Sequence, residues 1–282
     1  MKRIIALIVL IAGFNTLHAQ DKMLLSIEDV SINYSLYPRE LSQCNWIPNT
    51  SNYTYVNDNE LLIFNEKGTQ IKSISLDDLN AHFNEDDHLS RLPNIRWHGS
   101  KTASFQKGKT IYKITLTTTI KVEKAIELPE GSNAHLEYDI KTLNYSYTNG
   151  NDLFVNGVKI NASENAVVNG QSVHRNEFGI NKGTFWNHNH SKLAFYKNDQ
   201  STVSDYPMLN ITTRVAEANM IKYPMAGEAN EVVKLGVYDI KSRQTLYLNT
   251  GTEDQYLTNI TWGPNGQFIY IGVLNRGQNH LK

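Results

Sequence analysis

Four segments of the chain share one form: a Trp, a short turn, then an alternating strand that closes on aromatics. They are Trp46-Ile-Pro-Asn running to Tyr53-Thr-Tyr55, Trp97-His-Gly-Ser to Phe105, Trp186-Asn-His-Asn to Ala194-Phe-Tyr196, and Trp262-Gly-Pro-Asn-Gly to Ile269-Tyr-Ile271. A degenerate fifth copy stands between the second and third, from Leu136 through Leu143-Asn-Tyr-Ser-Tyr147 to Leu153-Phe-Val155. The units continue into a second hairpin, as in Glu60-Leu-Leu-Ile-Phe64 followed by Asn65-Glu-Lys-Gly68. Two hairpins make a four-stranded blade, and most of the unit starts are spaced near the ~40–50 residues of propeller blades. A β-sandwich also has short strands and frequent turns, but it would not repeat a Trp-turn-aromatic unit. The expectation is an all-β propeller of four-stranded blades, with room for about five blades of ~45 residues. A set of blades that stops short of closure exposes a sheet edge. The last interval is long because residues 199–231 leave the pattern, an insertion out of one blade and a natural contact surface.

Composition agrees with sheet. Aromatic residues make up 10% of the chain, 15 of them Tyr, and such side chains pack on pleats while Asn and Gly fill turns. The 27 Lys+Arg are balanced by 28 Asp+Glu with no basic stripe, so nothing is set to neutralise a phosphate backbone, and nucleic acid is not an expected partner.

Residues 1–19 have the three parts of a secretory signal: Met1-Lys-Arg3, an apolar run from Ile4 to Phe14, and Ala19 where cleavage can occur. The apolar run is too short to span the ~30 Å of membrane hydrocarbon. The expected product is a soluble exported protein, periplasmic or secreted, with no membrane span. Cys44 is the single cysteine and is expected to be a small buried hydrophobe beside Trp46. The chain stops at Lys282 soon after a strand-like run, which reads as a truncation within the propeller, residues 20–282 being its N-terminal part.

No catalytic constellation is recognisable in the chain. Gly170-Gln-Ser172-Val-His174 has His in place of the second Gly of a nucleophile elbow, and no helix follows it. His188 and His190 are two apart, but they sit in the turn slot of the third Trp unit and read as solvated turn residues rather than metal ligands. No phosphate-cradling Gly loop, HExxH or Cys pair occurs, so neither a metal nor an organic cofactor is expected. The Asn-X-Ser/Thr sites at Asn49, Asn52, Asn161, Asn210 and Asn259 are treated as loop or edge residues.

The stretch Val173-His-Arg-Asn-Glu177-Phe-Gly-Ile180 departs from the blade pattern and sets Arg175 and Glu177 just ahead of a Trp strand. It is followed by Leu193-Ala-Phe-Tyr196-Lys-Asn-Asp199, by Tyr223-Pro-Met-Ala-Gly227-Glu-Ala-Asn230-Glu-Val-Val-Lys234, and by Val273-Leu-Asn-Arg276-Gly-Gln278-Asn279. As an ordered set these segments resemble the N-terminal propeller of dipeptidyl peptidase IV, in the prolyl oligopeptidase family of serine peptidases. The resemblance is firm from about residue 172 to 282 and looser from 40 to 171.

The resemblance implies an eight-bladed propeller followed by an α/β-hydrolase domain with a Ser-Asp-His triad, which releases X-Pro or X-Ala dipeptides from peptide N-termini. It implies that Glu177 binds the free α-amino group of a peptide substrate. A carboxylate in a partly dry cavity pairs strongly with an ammonium. Asn176 stands where better-known members carry a second Glu, so one full charge would hold the amine, with the amide oxygen able to accept a bond. Arg175 is either a salt-bridge partner that orients Glu177 or a solvated side chain. The 199–231 excursion matches the family's blade arm, which implies a homodimer formed through Tyr206, Pro207, Tyr223 and Pro224; Pro fixes the backbone, and Tyr is favoured at interfaces. Arg276, Gln278 and Asn279 match a family segment at a strand end and are given a structural role. Without the triad the chain is expected to be inactive alone. The competing reading is a non-enzymatic exported propeller that binds peptide or protein.

Overall fold

A computed structural model of the chain describes residues 24–282, apart from 39, 132–133, 163 and 252–253. The expected signal segment lies outside the described residues.

Three antiparallel sheets follow the chain with every strand beside its sequence neighbour. The first holds β1 (Ser42–Trp46), β2 (Tyr53–Asn57), β3 (Glu60–Phe64) and β4 (Gln70–Ser75). The second holds β5 (Arg96–Gly99), β6 (Thr102–Lys107), β7 (Thr110–Leu116) and β8 (Ile120–Glu127). The third holds β9 (Ala134–Tyr138), β10 (Tyr145–Asn149), β11 (Asp152–Val155) and β12 (Val158–Lys159). In the fourth, β13 (Val167–Asn169) and β14 (Thr184–Trp186) both pair β15 (Lys192–Asp199), which leads on to β18 (Val232–Asp239) and β19 (Gln244–Tyr247). Between β15 and β18 the chain leaves as a separate hairpin, β16 (Asp205–Asn210) with β17 (Glu217–Lys222). The fifth sheet is the pair β20 (Gln255–Trp262) and β21 (Ile269–Asn275). Short helices are few; α1 (Ile27–Ser31) and α2 (Leu76–Asn80) each start on a Ser whose hydroxyl accepts from the third helical N–H.

The Trp repeat is the register of this architecture. Trp46 pairs Tyr53, Trp97 pairs Ala103, Trp186 pairs Leu193 and Trp262 pairs Ile269, so each Trp sits at or near the end of a first strand and faces the second. In the third sheet Tyr138 pairs Tyr145 and occupies the Trp place. In the last three sheets the ring at this place bonds the preceding sheet, whereas the buried Trp97 Nε1 has no hydrogen-bond partner among the described residues. Trp186 Nε1 gives a hydrogen bond to Ser146 Oγ at 3.0 Å, Trp262 Nε1 gives one to the Phe185 carbonyl at 2.8 Å, and Tyr138 shares a 2.9 Å bond with Ser104 Oγ. Ser104 and Ser146 are fully buried and hold equivalent positions in their sheets, so each buried hydroxyl is satisfied by the next blade.

The core lies between the sheets. Ile47, Leu61, Ile63 and Ile74 of the first meet Ile95, Phe105 and Ile114 of the second. Ile111 and Ile126 meet Ile140, Leu153 and Val155 meet Leu193 and Phe195, and Tyr196 and Leu235 meet Leu257 and Trp262. Each such aliphatic or aromatic side chain contributes about 1.5–3 kcal/mol on burial, so stability is distributed over four successive interfaces.

Cys44 corrects the sequence reading. It is exposed, as is Trp46, with 68% of its surface free. A register shift between Ser42 and Asn45 turns Gln43, at φ 51°, inward, where its amide bonds Pro93 O and Ile95 N. That bulge puts Cys44 on the outer side. Among the described residues no sheet covers the face on which Trp46, Tyr53, Tyr55 and Phe64 stack. Their rings shield one another instead.

Candidate functional site

Residues 172–182 leave the fourth sheet after β13 and return at β14. The neck is tight because Gly183 lies against the backbone of Gln171, where a Cβ would come within 2.1 Å, so only glycine fits. Val173 and Ile180 are buried in the core shared by the fourth and fifth sheets, which pins the loop at both ends.

Between these anchors the backbone winds left-handed. His174, Arg175 and Asn176 have φ of 50°, 56° and 60°, and Phe178 has 57°. Each L-residue held there costs roughly 1–2 kcal/mol, and such conformations persist only where the surroundings over-determine them. The turn closes on itself through Asn176 N to Val173 O and Glu177 N to His174 O, at 3.1 and 3.0 Å.

The predicted site residues share the tip. Arg175, Asn176 and Glu177 are all exposed, and Arg175 Nη2 lies 3.3 Å from Glu177 Oε1. The Arg175 guanidinium also sits 5.4 Å above the Tyr223 ring, and Tyr223 packs on Tyr206 with ring centroids 5.7 Å apart. The loop and the hairpin β16–β17, which the sequence treated as separate features, thus meet at Arg175. Pro207 lies within β16 opposite Met220, and Pro224 follows β17. The hairpin presents Met208, Leu209, Ile211, Val215 and Met220 to solvent, more than half of each side chain being free.

Beneath the tip are residues that the sequence reading passed over. His174 is 1% exposed and Glu231, at the root of the hairpin, 6%. Glu231 Oε1 accepts the His174 backbone N–H at 3.0 Å and lies 3.0 Å from His174 Nδ1. Burial pushes the Glu231 carboxyl up, but the bonds from the His174 side chain and backbone outweigh it and leave it below the usual carboxylate range. Tyr256 packs edge-on to the His174 ring at 4.8 Å and against Phe178 at 4.5 Å, and Thr258 Oγ1 donates to the Phe178 carbonyl at 2.5 Å. The only sequence mark of Glu231 is a carboxylate directly ahead of the apolar run of β18. Arg276 fills its structural role: Nη1 pairs Asp254 at 2.5 Å, and Nη2 donates to the Glu228 carbonyl at 3.0 Å, so the hairpin root is tied to the fifth sheet. Asn279 bonds Asn275 by side chain and backbone, and the Gln278 N–H reaches the Asn275 carbonyl. A pocket of about 470 Å³ opens beside this root, lined in part by Asn230, Glu231, Asp254 and Gln255.

The histidine pair sits as expected in the turn between β14 and β15; His188 is exposed, while His190 is half-buried and stacks on Trp186 at 5.3 Å. No group of three or more His, Cys, Asp or Glu able to hold a metal occurs among the described residues. Nor is any helix among them long and apolar enough to cross a membrane.

Comparison with known proteins gives one consistent answer. Residues 101–282 match the family model "Dipeptidyl peptidase IV (DPP IV) N-terminal region". A probable dipeptidyl-aminopeptidase B of Aspergillus clavatus is 27% identical over 149 residues, covering 47% of this chain and 15% of the relative. A Bacteroides ovatus structure assigned as a dipeptidyl aminopeptidase IV superposes with a TM-score of 0.79 at 33% identity, over 87% of this chain and 35% of that one. Dipeptidyl peptidase 4 of Porphyromonas gingivalis superposes at 0.68 over 93% of this chain and 40% of its own, and at 20% identity that likeness speaks to fold. The chain therefore spans a small part of the relatives and solved structures that it matches.

Proposed function

The chain belongs to the dipeptidyl peptidase IV N-terminal region family, and from that membership we propose that it is the propeller portion of an exported serine dipeptidyl peptidase, serving to gate peptide substrates and hold their N-termini. Release of X-Pro or X-Ala dipeptides is the work of an α/β-hydrolase domain, and the propeller without that domain is inactive. The observation that carries the reading is the left-handed turn at 174–176, which spends backbone strain to present Glu177 at an exposed tip with Arg175 beside it. The carboxylate of Glu177 pairs with the substrate's α-ammonium, and Asn176 offers a second acceptor. Arg175 orients Glu177 and leaves one carboxylate oxygen free. The apolar hairpin β16–β17 supplies a homodimer contact through Tyr206, Pro207, Tyr223 and Pro224; its exposed Met, Leu and Ile side chains support that reading.

The test is an NMR titration of the ¹⁵N-labelled chain with Ala-Pro-Ala and with its N-acetylated form. The free peptide is expected to shift the amides of residues 174–178, and the acetylated one to leave them in place. Equal shifts from both peptides would overturn the amine-anchor reading.

A further inference from the structure

We propose that Glu231 and His174 are positioning residues for the amine anchor, an inference that rests on the role given above to Glu177. Neither reaches the tip. Both are buried beneath it, and the bond between them joins two segments far apart in the chain: the turn that carries Arg175, Asn176 and Glu177, and the root of the β16–β17 hairpin.

A carboxylate removed from water is costly unless it is paired and bonded, and a solvent-facing loop alone has no need of one. Glu231 is held by its own backbone N–H and by His174, whose backbone N–H donates to Oε1 at 3.0 Å and whose ring Nδ1 lies 3.0 Å from the same oxygen. His174 is also the first residue of the left-handed run, at φ 50°. Fixing its N–H fixes the plane of the peptide that enters the run, and hence the direction in which the next three side chains leave. Tyr256 closes the other side by packing on both His174 and Phe178, so the strained segment is clamped before and after Glu177. The hairpin root is itself fixed by Arg276, which holds the Glu228 carbonyl and Asp254. Glu231 thus has a rigid base from which to hold the turn.

The experiment compares Glu231→Ala, Glu231→Gln and Glu177→Gln with the unaltered chain. The readout is the ratio of Kd for N-acetylated over free Ala-Pro-Ala by the same titration. One well-placed ion pair gives the unaltered chain a ratio of about tenfold. Glu231→Ala is expected to bring it to about one while the spectrum stays that of a folded protein, and Glu231→Gln, whose amide oxygen can still accept the His174 N–H, is expected to keep it within about twofold. A merely structural role would lower the melting temperature of the Ala variant and leave the ratio of its folded fraction unchanged; that result overturns the proposal. Glu177→Gln separates the two ideas. If it keeps the ratio, the anchor reading itself fails; if it loses the ratio while Glu231→Ala keeps it, only the positioning role fails. Should Glu231→Ala not fold, hydrogen exchange in the unaltered chain decides. The His174 amide must exchange as slowly as that of Leu235 in β18, and fast exchange overturns the proposal.

Discussion

Consecutive left-handed residues without glycine place the cost of this site in its backbone. At Arg175 the conformation, φ 56° and ψ 32°, can be separated from the side-chain contacts by comparing Arg175→Gly with Arg175→Ala, since both lose the Glu177 and Tyr223 contacts. Alanine is the more stable of the two in ordinary right-handed positions. Here the Gly variant is expected to exceed the Ala variant by about 0.5–1 kcal/mol, read from the urea midpoint at constant m. At this scale the sequence disclosed the exposed carboxylate, because Asn176-Glu177-Phe178-Gly179 interrupts the alternation of the blades. It could not disclose the left-handed turn, since the leaning of Asn and His toward positive φ is shared by many single turn residues and Arg175 has none. Nor did it disclose Glu231, whose role arises from a contact 57 residues away in the chain. Cys44 was misjudged for a related reason: a bulge inverts the in-and-out alternation without leaving a mark on composition.

Among the elements, the blades were legible because their Trp-turn-strand unit is the register itself, with Tyr138 standing in where the third sheet has no Trp. The excursion at 199–231 showed no clean strand pattern because its two strands pair only with each other and bury little, so no alternation is imposed on them. Inter-blade polar contacts also give stability a pH dependence. His98 Nε2 lies 2.7 Å from the buried Ser104 Oγ, which is bonded in turn to Tyr138. Burial, aided by Arg96, lowers the His98 pKa to about 4 from its ordinary 6.5, against the opposing pull of Asp139. Because the folded value is the lower one, the folded state favours the neutral ring. Its contribution is present above pH 6.5 and is lost as the pH falls from 6.5 toward 4. The melting temperature is therefore expected to fall over that window, and His98→Gln is expected to flatten the fall measurably. Burial lowers the pKa of His190 as well, so a residual slope remains in the variant. Identical slopes in the two proteins would refute the assignment to His98.

On the scale of the whole molecule, the sheets pack face to face in chain order, and no core cluster among the described residues joins the first sheet to the fifth. The outer rings at either end, Trp46 on the first sheet and Phe268 and Tyr270 on the fifth, remain more than half exposed. The loop at 172–182 stands where the fourth blade, the fifth blade and the hairpin meet, so its geometry depends on all three. We propose that this junction holds the N-terminus of a peptide for dipeptide release. The decisive measurement is kcat/KM for an Ala-Pro substrate in the enzyme that carries the hydrolase domain, comparing Glu177→Gln with the unaltered protein. Loss of this charge pair predicts a fall of at least about tenfold. A value within a few-fold of the unaltered enzyme would rule out that role for Glu177.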